Sequence, residues 1–345
     1  MLHVPKAAPG DRIAVLSPAF AAPAVGPEVH EQAMRRLREL TGLVPVEYPT
    51  TRQLDASPQA RAADVNAAFA DPSIRAIIAT IGGSDQILVT PHLDPALAVA
   101  DPKPFLGYSD NTNILNWLWR HGVAGFYGGS TQVHLGPGPA VDEVHLRSLC
   151  AALLDSGEIE ITEPGESEDF GRHWDAPAAL TEYGDREPTE PWTWARPAKR
   201  VTGRTWGGCL EVVDQLALAD RMPSNDNLTG AILLLETSER LTPAARVAEQ
   251  LRGYGERGLL GSVAGVLFAR PPVSSFEVMP TAAERSALRG AQRDVVLEMV
   301  GRYNPDAVVC VGVPFGHTRP QWILPYGGEM TLDGAGRRVQ ASYDG

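Results

Sequence analysis

A serine, a carboxylate and a histidine, each closing an apolar run, are the residues whose types and placement suit acyl transfer. Phe105-Leu-Gly-Tyr-Ser-Asp-Asn-Thr puts Ser109 at a sharp strand-to-helix turn that Gly107 lets bend tightly. A serine there stands exposed at the sheet end, with the Asp110 amide aimed at a forming oxyanion. The same position also suits a plain helix cap. Glu236 ends the run Ala231-Ile-Leu-Leu-Leu, a strand apolar on both faces, so its carboxylate emerges at a sheet edge and needs a partner there. A histidine is one such partner; a loop amide is the other. His317 lies in the Gly- and Pro-rich loop Val313-Pro-Phe-Gly-His-Thr-Arg-Pro, a place where general bases sit, although a lone loop histidine is more often a bystander. Glu239, in the polar turn after Glu236, is the weaker carboxylate candidate.

Ala79-Thr-Ile-Gly-Gly-Ser-Asp supplies a glycine turn after a second strand, and parallel strands share polarity, so Gly83 can offer another oxyanion amide beside Ser109. Neither G-x-G-x-x-G nor a Lys-bearing Walker pattern is present, which argues against a nucleotide phosphate loop. The remaining histidines show no H-x-x-x-H or H-E-x-x-H spacing, so no metal and no cofactor is expected.

These residues need a frame that brings strand ends together. Short apolar runs alternate with amphipathic stretches from Arg12 to Leu154, the βαβα pattern of a doubly wound, mostly parallel α/β sheet, expected over residues 1–160. Residues 161–200 form an acidic connecting segment; from Asp155 to Glu190 its acids face only Arg172 and Arg186. Trp174, Trp192 and Trp194 within it point to packing on the body or closure over a ligand rather than a free linker. Residues 201–345 are expected to form a second, smaller α/β domain carrying Glu236 and His317, with Thr242-Pro243 reading as a helix N-cap and first position.

A net charge of -12 without a basic run argues against a nucleic-acid polymer. No apolar run reaches the roughly 20 residues of a membrane span, and the start lacks a basic stretch followed by an apolar core. Cys150, Cys209 and Cys310 are odd in number, far apart and set among apolar neighbours, as in a reduced compartment. A cytoplasmic location is expected.

Taken together, Gly10-Asp-Arg-Ile, Gly82-Gly83, Gly107-Tyr-Ser-Asp, Gly207-Gly208, Leu235-Glu236, Gly316-His317 and Leu324-Pro-Tyr-Gly resemble, in order and across nearly the whole chain, the LD-carboxypeptidase and microcin C immunity (MccF-like) family of serine peptidases. The resemblance implies a nucleophile at Ser109, Glu236 orienting the base His317, an oxyanion hole from the amides of Gly83 and Asp110, no metal, and a homodimer. It implies either hydrolysis of aminoacyl nucleotides, for which Trp174, Trp192 or Trp194 are candidates to stack on a base, or trimming of a muropeptide, for which Arg319 is a candidate contact of the terminal carboxylate. In both cases the partner is a small-molecule or peptide substrate. A non-catalytic anion-binding α/β protein is the reading that needs no triad. Two departures stand out. Thr80-Ile-Gly-Gly-Ser replaces the Arg-Gly-Gly-Tyr-Gly of many muropeptide-trimming members, and Cys209 stands where the family commonly has Asn.

Overall fold

The computed structural model describes residues 1–2, 4–195 and 199–344; His3, Gly345 and residues 196–198, at the end of the expected connecting segment, lie outside the described residues. The first half contributes β1 (Arg12–Leu16), β2 (Val44–Glu47), β3 (Ile74–Ala79), β4 (Phe105–Gly107) and β5 (Gly125–Tyr127). The acidic segment contributes β6 (Glu158–Ile161), β7 (Glu166–Ser167), β8 (Glu187–Pro188) and β9 (Thr193–Ala195). Then follow β10 (Arg200–Cys209), β11 (Ile232–Glu236), β12 (Gly265–Ala269), β13 (Val308–Val313), β14 (Leu324–Tyr326), β15 (Glu329–Asp333) and β16 (Arg338–Ser342).

Two sheets result, as an α/β fold with alternating helices requires. The first runs β14-β5-β4-β3-β1-β2, with β1 to β5 parallel and β14 antiparallel at the edge. The second runs β6-β16-β15-β10-β11-β12-β13-β9, parallel at its centre from β10 to β13 and antiparallel on both flanks. The near-continuous apolar runs of β3, β11, β12 and β13 are buried, which is how strands covered on both faces read. The chain also crosses between the sheets. After His317 it returns to pair Leu324–Tyr326 with β5 of the first sheet, while β6 and β9 of the acidic segment close the two edges of the second.

Local chemistry sets the helix ends. Ser57 accepts from the Ala60 amide ahead of Pro58, Gly42 ends the helix Pro27–Thr41 at φ 73°, and Thr281 with Glu284 forms a capping box on Ala282–Tyr303. The expected cap at Thr242 is not formed. That helix spans Ala244–Glu256 with Pro243 as its N-cap, because the Thr242 hydroxyl donates to Glu211 instead.

The acid excess of the segment is spent on burial. Asp169 accepts from Arg270 and Arg289, both at 2.8 Å, and from the Val273 and Ser274 amides, while Glu187 and Glu190 take further bonds from the same arginines. The Asp169 and Arg270 side chains are 2% exposed. Removing one member of a buried pair leaves an uncompensated charge and costs about 3–5 kcal/mol. Asp169→Ala is therefore expected to lower unfolding free energy by about that amount, read as a lower urea midpoint.

Candidate active site

The carboxyl ends of strands from both sheets converge, the usual place for a site in an open α/β fold. Ser109 stands two residues past the end of β4, after Tyr108. Its φ of 60° is the left-handed conformation rarely adopted by residues with side chains, as expected of a nucleophile on a tight turn. A short 3₁₀ turn, Ser109–Asn111, leads into the helix Thr112–Arg120, and the Asp110 amide finds no acceptor among the described residues. The Asp110 side chain is turned inward instead, accepting from the Gln86 amide and from Asn113 at 2.9 Å each. Burial pushes its carboxyl up to about 6, against those hydrogen bonds.

The glycine turn after β3 packs against the serine. A Cβ on Gly82 would lie 2.8 Å from both Cβ and Oγ of Ser109, and one on Gly83 would lie 2.8 Å from the Ala19 Cβ and 3.4 Å from an Asp110 carboxylate oxygen. Gly82 must stay bare for Ser109 to sit where it does, and Gly83 for Ala19 to pack against the turn.

Glu236, at the end of β11, is fully buried, and each carboxylate oxygen has a partner. Oε2 accepts from His317 Nδ1 at 2.6 Å; Oε1 accepts from the Tyr127 hydroxyl at 2.6 Å. The Tyr127 oxygen in turn lies 3.3 Å from the Ser109 amide, which donates to it. Tyr127 thus links carboxylate and nucleophile. Sequence reasoning missed it, although one signal was present: it is a polar-tipped aromatic at the end of β5, in register with Gly107 on the nucleophile's own strand.

His317 Nε2 does not hydrogen-bond Ser109 in this conformation. It faces Glu239 Oε2 at 3.1 Å, while the Tyr108 ring packs edge-on at 5.0 Å between centroids. Burial acts to lower the His317 pKa, but the charges and hydrogen bonds of Glu236 and Glu239 overcome it and hold the imidazole well above its ordinary value. Glu239 is correspondingly lowered to about 2: burial raises it, and the bond and charge of His317 outweigh that.

Ser109, His317, Gly82, Gly83 and Glu239 line one cleft of about 980 Å³. Trp174 is in its wall, over Gly26 at the start of the helix Pro27–Thr41, together with the rings of Phe20, Phe170, His173 and Phe276. Trp192 does not line the cleft; it packs beside Gly312 of β13. Arg319 borders the cleft, but its guanidinium is engaged by the buried carboxylate of Glu168 and by the Val133 carbonyl at 2.6 Å. Arg61 and Arg172 pair with acids as well. Arg240, in the same lining, forms no ion pair at contact distance among the described residues, though its charge acts on neighbouring Glu239. No cluster of three His, Cys, Asp or Glu residues with metal-binding geometry occurs among the described residues.

Cys209 acquires a structural account. Its thiol donates to Glu211 Oε2 at 3.0 Å, and Glu211 Oε1 accepts from Ser238 and Thr242, so the pair fixes both ends of the loop carrying Glu239.

The profile of the LD-carboxypeptidase N-terminal domain matches residues 13–128, and that of the LD-carboxypeptidase C-terminal domain matches residues 202–332. The chain belongs to the LD-carboxypeptidase family of serine peptidases. A Vibrio cholerae protein named as a carboxypeptidase is 27% identical over 96% of this chain and 95% of its own. The microcin C7 self-immunity protein MccF of Escherichia coli is 25% identical over 79% and 75%. The structure of MccF in complex with glutamyl sulfamoyl guanosine superposes with a TM-score of 0.84 at 21% identity over 99% of this chain and 98% of that one, a likeness of fold.

Two outcomes follow for this LD-carboxypeptidase family member. Gly82→Ala places a methyl against the nucleophile and is expected to lower kcat/KM by about 100-fold or more, the scale of losing a positioned group in the reacting centre, with the thermal midpoint little changed. A base must be neutral, so activity rises with pH through the raised pKa of His317, whose charged or titratable neighbours are Glu236, Glu239, Tyr108 and His134. Glu239→Gln removes one of the two carboxylates holding the proton; the acid limb of the kcat/KM profile is expected to move to lower pH.

Proposed function

We propose that this chain hydrolyses the amide-type bond joining an aminoacyl group to a nucleotide-like leaving group, with Ser109 as nucleophile, His317 as general base and acid, and Glu236 orienting it. The observation that carries this reading is the cleft itself: a serine on a strained strand-end turn, a histidine held by a buried carboxylate, and a wall of aromatic rings that includes Trp174. Ser109 Oγ attacks the carbonyl carbon as His317 Nε2, turned from Glu239, takes the hydroxyl proton. The oxyanion is met by the amides of Asp110 and Gly83, neither of which has an acceptor among the described residues. The proton passes to the departing nitrogen, its bond to the carbonyl carbon breaks, and water releases the acyl group from the serine by the same two proton transfers in reverse roles.

The rings of the wall suit a flat leaving group, and Arg240 supplies a cation for an acidic group on the substrate. Arg319 is already neutralised by Glu168, which weakens the contact that a muropeptide's terminal carboxylate needs there. Product mass spectrometry tests the choice, with an aminoacyl sulfamoyl adenosine and a muropeptide tetrapeptide offered in parallel. Wild type is expected to cut the nucleotide, and Ser109→Ala neither; cleavage of the tetrapeptide alone replaces this substrate with a cell-wall one. Trp174→Ala is expected to raise KM for the nucleotide by about 5- to 100-fold, the worth of one base stacked on an aromatic ring.

A further inference from the structure

Glu239 occupies the nitrogen of His317 that the proposed chemistry needs. With Nδ1 on Glu236 at 2.6 Å and Nε2 on Glu239 at 3.1 Å, the imidazole faces a carboxylate on both sides. A ring that donates from both nitrogens is an imidazolium and has no lone pair for the Ser109 proton.

The contact is built into the loop. Glu239 lies between Ser238 and Thr242, both bonded to Glu211, which is itself bonded by Cys209. Leu241, between them, has a φ of 55°, a conformation costly for a bulky side chain. The strain persists because the two ends of the loop are fixed.

When Nε2 turns to Ser109, Glu239 loses the cation it is bonded to, and the charge of Arg240 acts on it only from a distance. The other cleft guanidiniums of Arg61, Arg172 and Arg319 are held by Asp85, by Glu182 and Asp185, and by Glu168, and Arg240 lies beyond ion-pair distance of Glu239 in this structure. The Glu239 side chain is 68% exposed while the cleft is open, so it is a substrate seated over it that takes its water away, and a neutral group there would leave the carboxylate stripped. A positive group on the substrate can replace the imidazolium. In an α-aminoacyl donor the ammonium is two bonds from the carbonyl carbon that Ser109 attacks, so it arrives beside the serine and the base together.

We propose that Glu239 is a latch opened by the substrate: it holds His317 off Ser109 until a free ammonium group next to the scissile carbonyl takes its place on the carboxylate. The substrate class is thereby narrowed to acyl donors with an unblocked amine. The proposal rests on the serine-hydrolase reading above, and its experiment separates the two. Rates are measured for wild type, Glu239→Gln and Ser109→Ala on an aminoacyl sulfamoyl adenosine and on its Nα-acetyl derivative. Wild type is expected to favour the free amine in kcat/KM by at least about tenfold, the scale of one charge-assisted hydrogen bond. Glu239→Gln is expected to treat both compounds within about threefold, and to cut the acetylated one faster than wild type does. A preference that survives in Glu239→Gln, or none in wild type, removes the latch while leaving the hydrolase reading in place. Cleavage of neither compound by wild type, or equal cleavage by Ser109→Ala, removes the hydrolase reading and the latch with it.

Discussion

The structure turns on one carboxylate placed where water cannot reach it. Glu236 has no exposed surface, and an unpaired anion there would cost several kcal/mol. Its two oxygens are satisfied by groups from separate parts of the chain, the Tyr127 hydroxyl at the end of a first-sheet strand and the His317 ring on a loop after a second-sheet strand. The two sheets must therefore meet at their carboxyl ends. Glycines make the approach close enough: a Cβ on Gly208 would lie 2.5 Å from the Thr112 hydroxyl, and one on Gly316 would lie 2.9 Å from Glu236 itself. Satisfying Glu236 fixes the base, and the Tyr127 oxygen fixes the nucleophile's backbone in the same network.

The acidic segment serves this arrangement from the other side of the cleft. Its acids would repel one another as a free strap, yet Asp169, Glu187 and Glu190 lie against Arg270, Arg285 and Arg289. Glu168 pairs with Arg319 through side chain and backbone alike, two residues from His317. The segment is thereby tied to the loop of the base, and Trp174 and Phe170 are carried on a fixed wall.

The parts of the site legible in the sequence were those that a parallel sheet makes legible. Ser109, Gly82-Gly83 and Glu236 each follow an apolar strand, and strands of one polarity end on one edge, so their neighbourhood could be argued without knowing the strand order. What lay beyond that was decided by folding back. Nothing in Leu324-Pro-Tyr announces that it pairs with β5 across the molecule, and β6 reads as part of an acidic linker until its partner β16 is known. Arg319 looked free for a substrate because Glu168, far away in sequence, was invisible as its partner. The same blindness separates the tryptophans: composition treats Trp174 and Trp192 alike, and only the path of the segment puts the first in the cleft and the second beside Gly312. Glu239 sat in a polar turn of the kind normally solvated, and only a loop held at both ends by Glu211 brings it back to the histidine.

That last contact bears on how one imidazole serves two opposed steps. Taking a proton from serine asks for a neutral ring, while giving it to a leaving nitrogen asks for a charged one. A fixed pair of carboxylates would favour the charged form throughout and impede the first step; Glu236 alone favours it less. A second carboxylate on a surface loop, rather than on a strand, lets the charged form be favoured when the cleft is at rest and released once something else has neutralised the acid. Glu236 is therefore buried, whereas Glu239 stands largely exposed at the cleft.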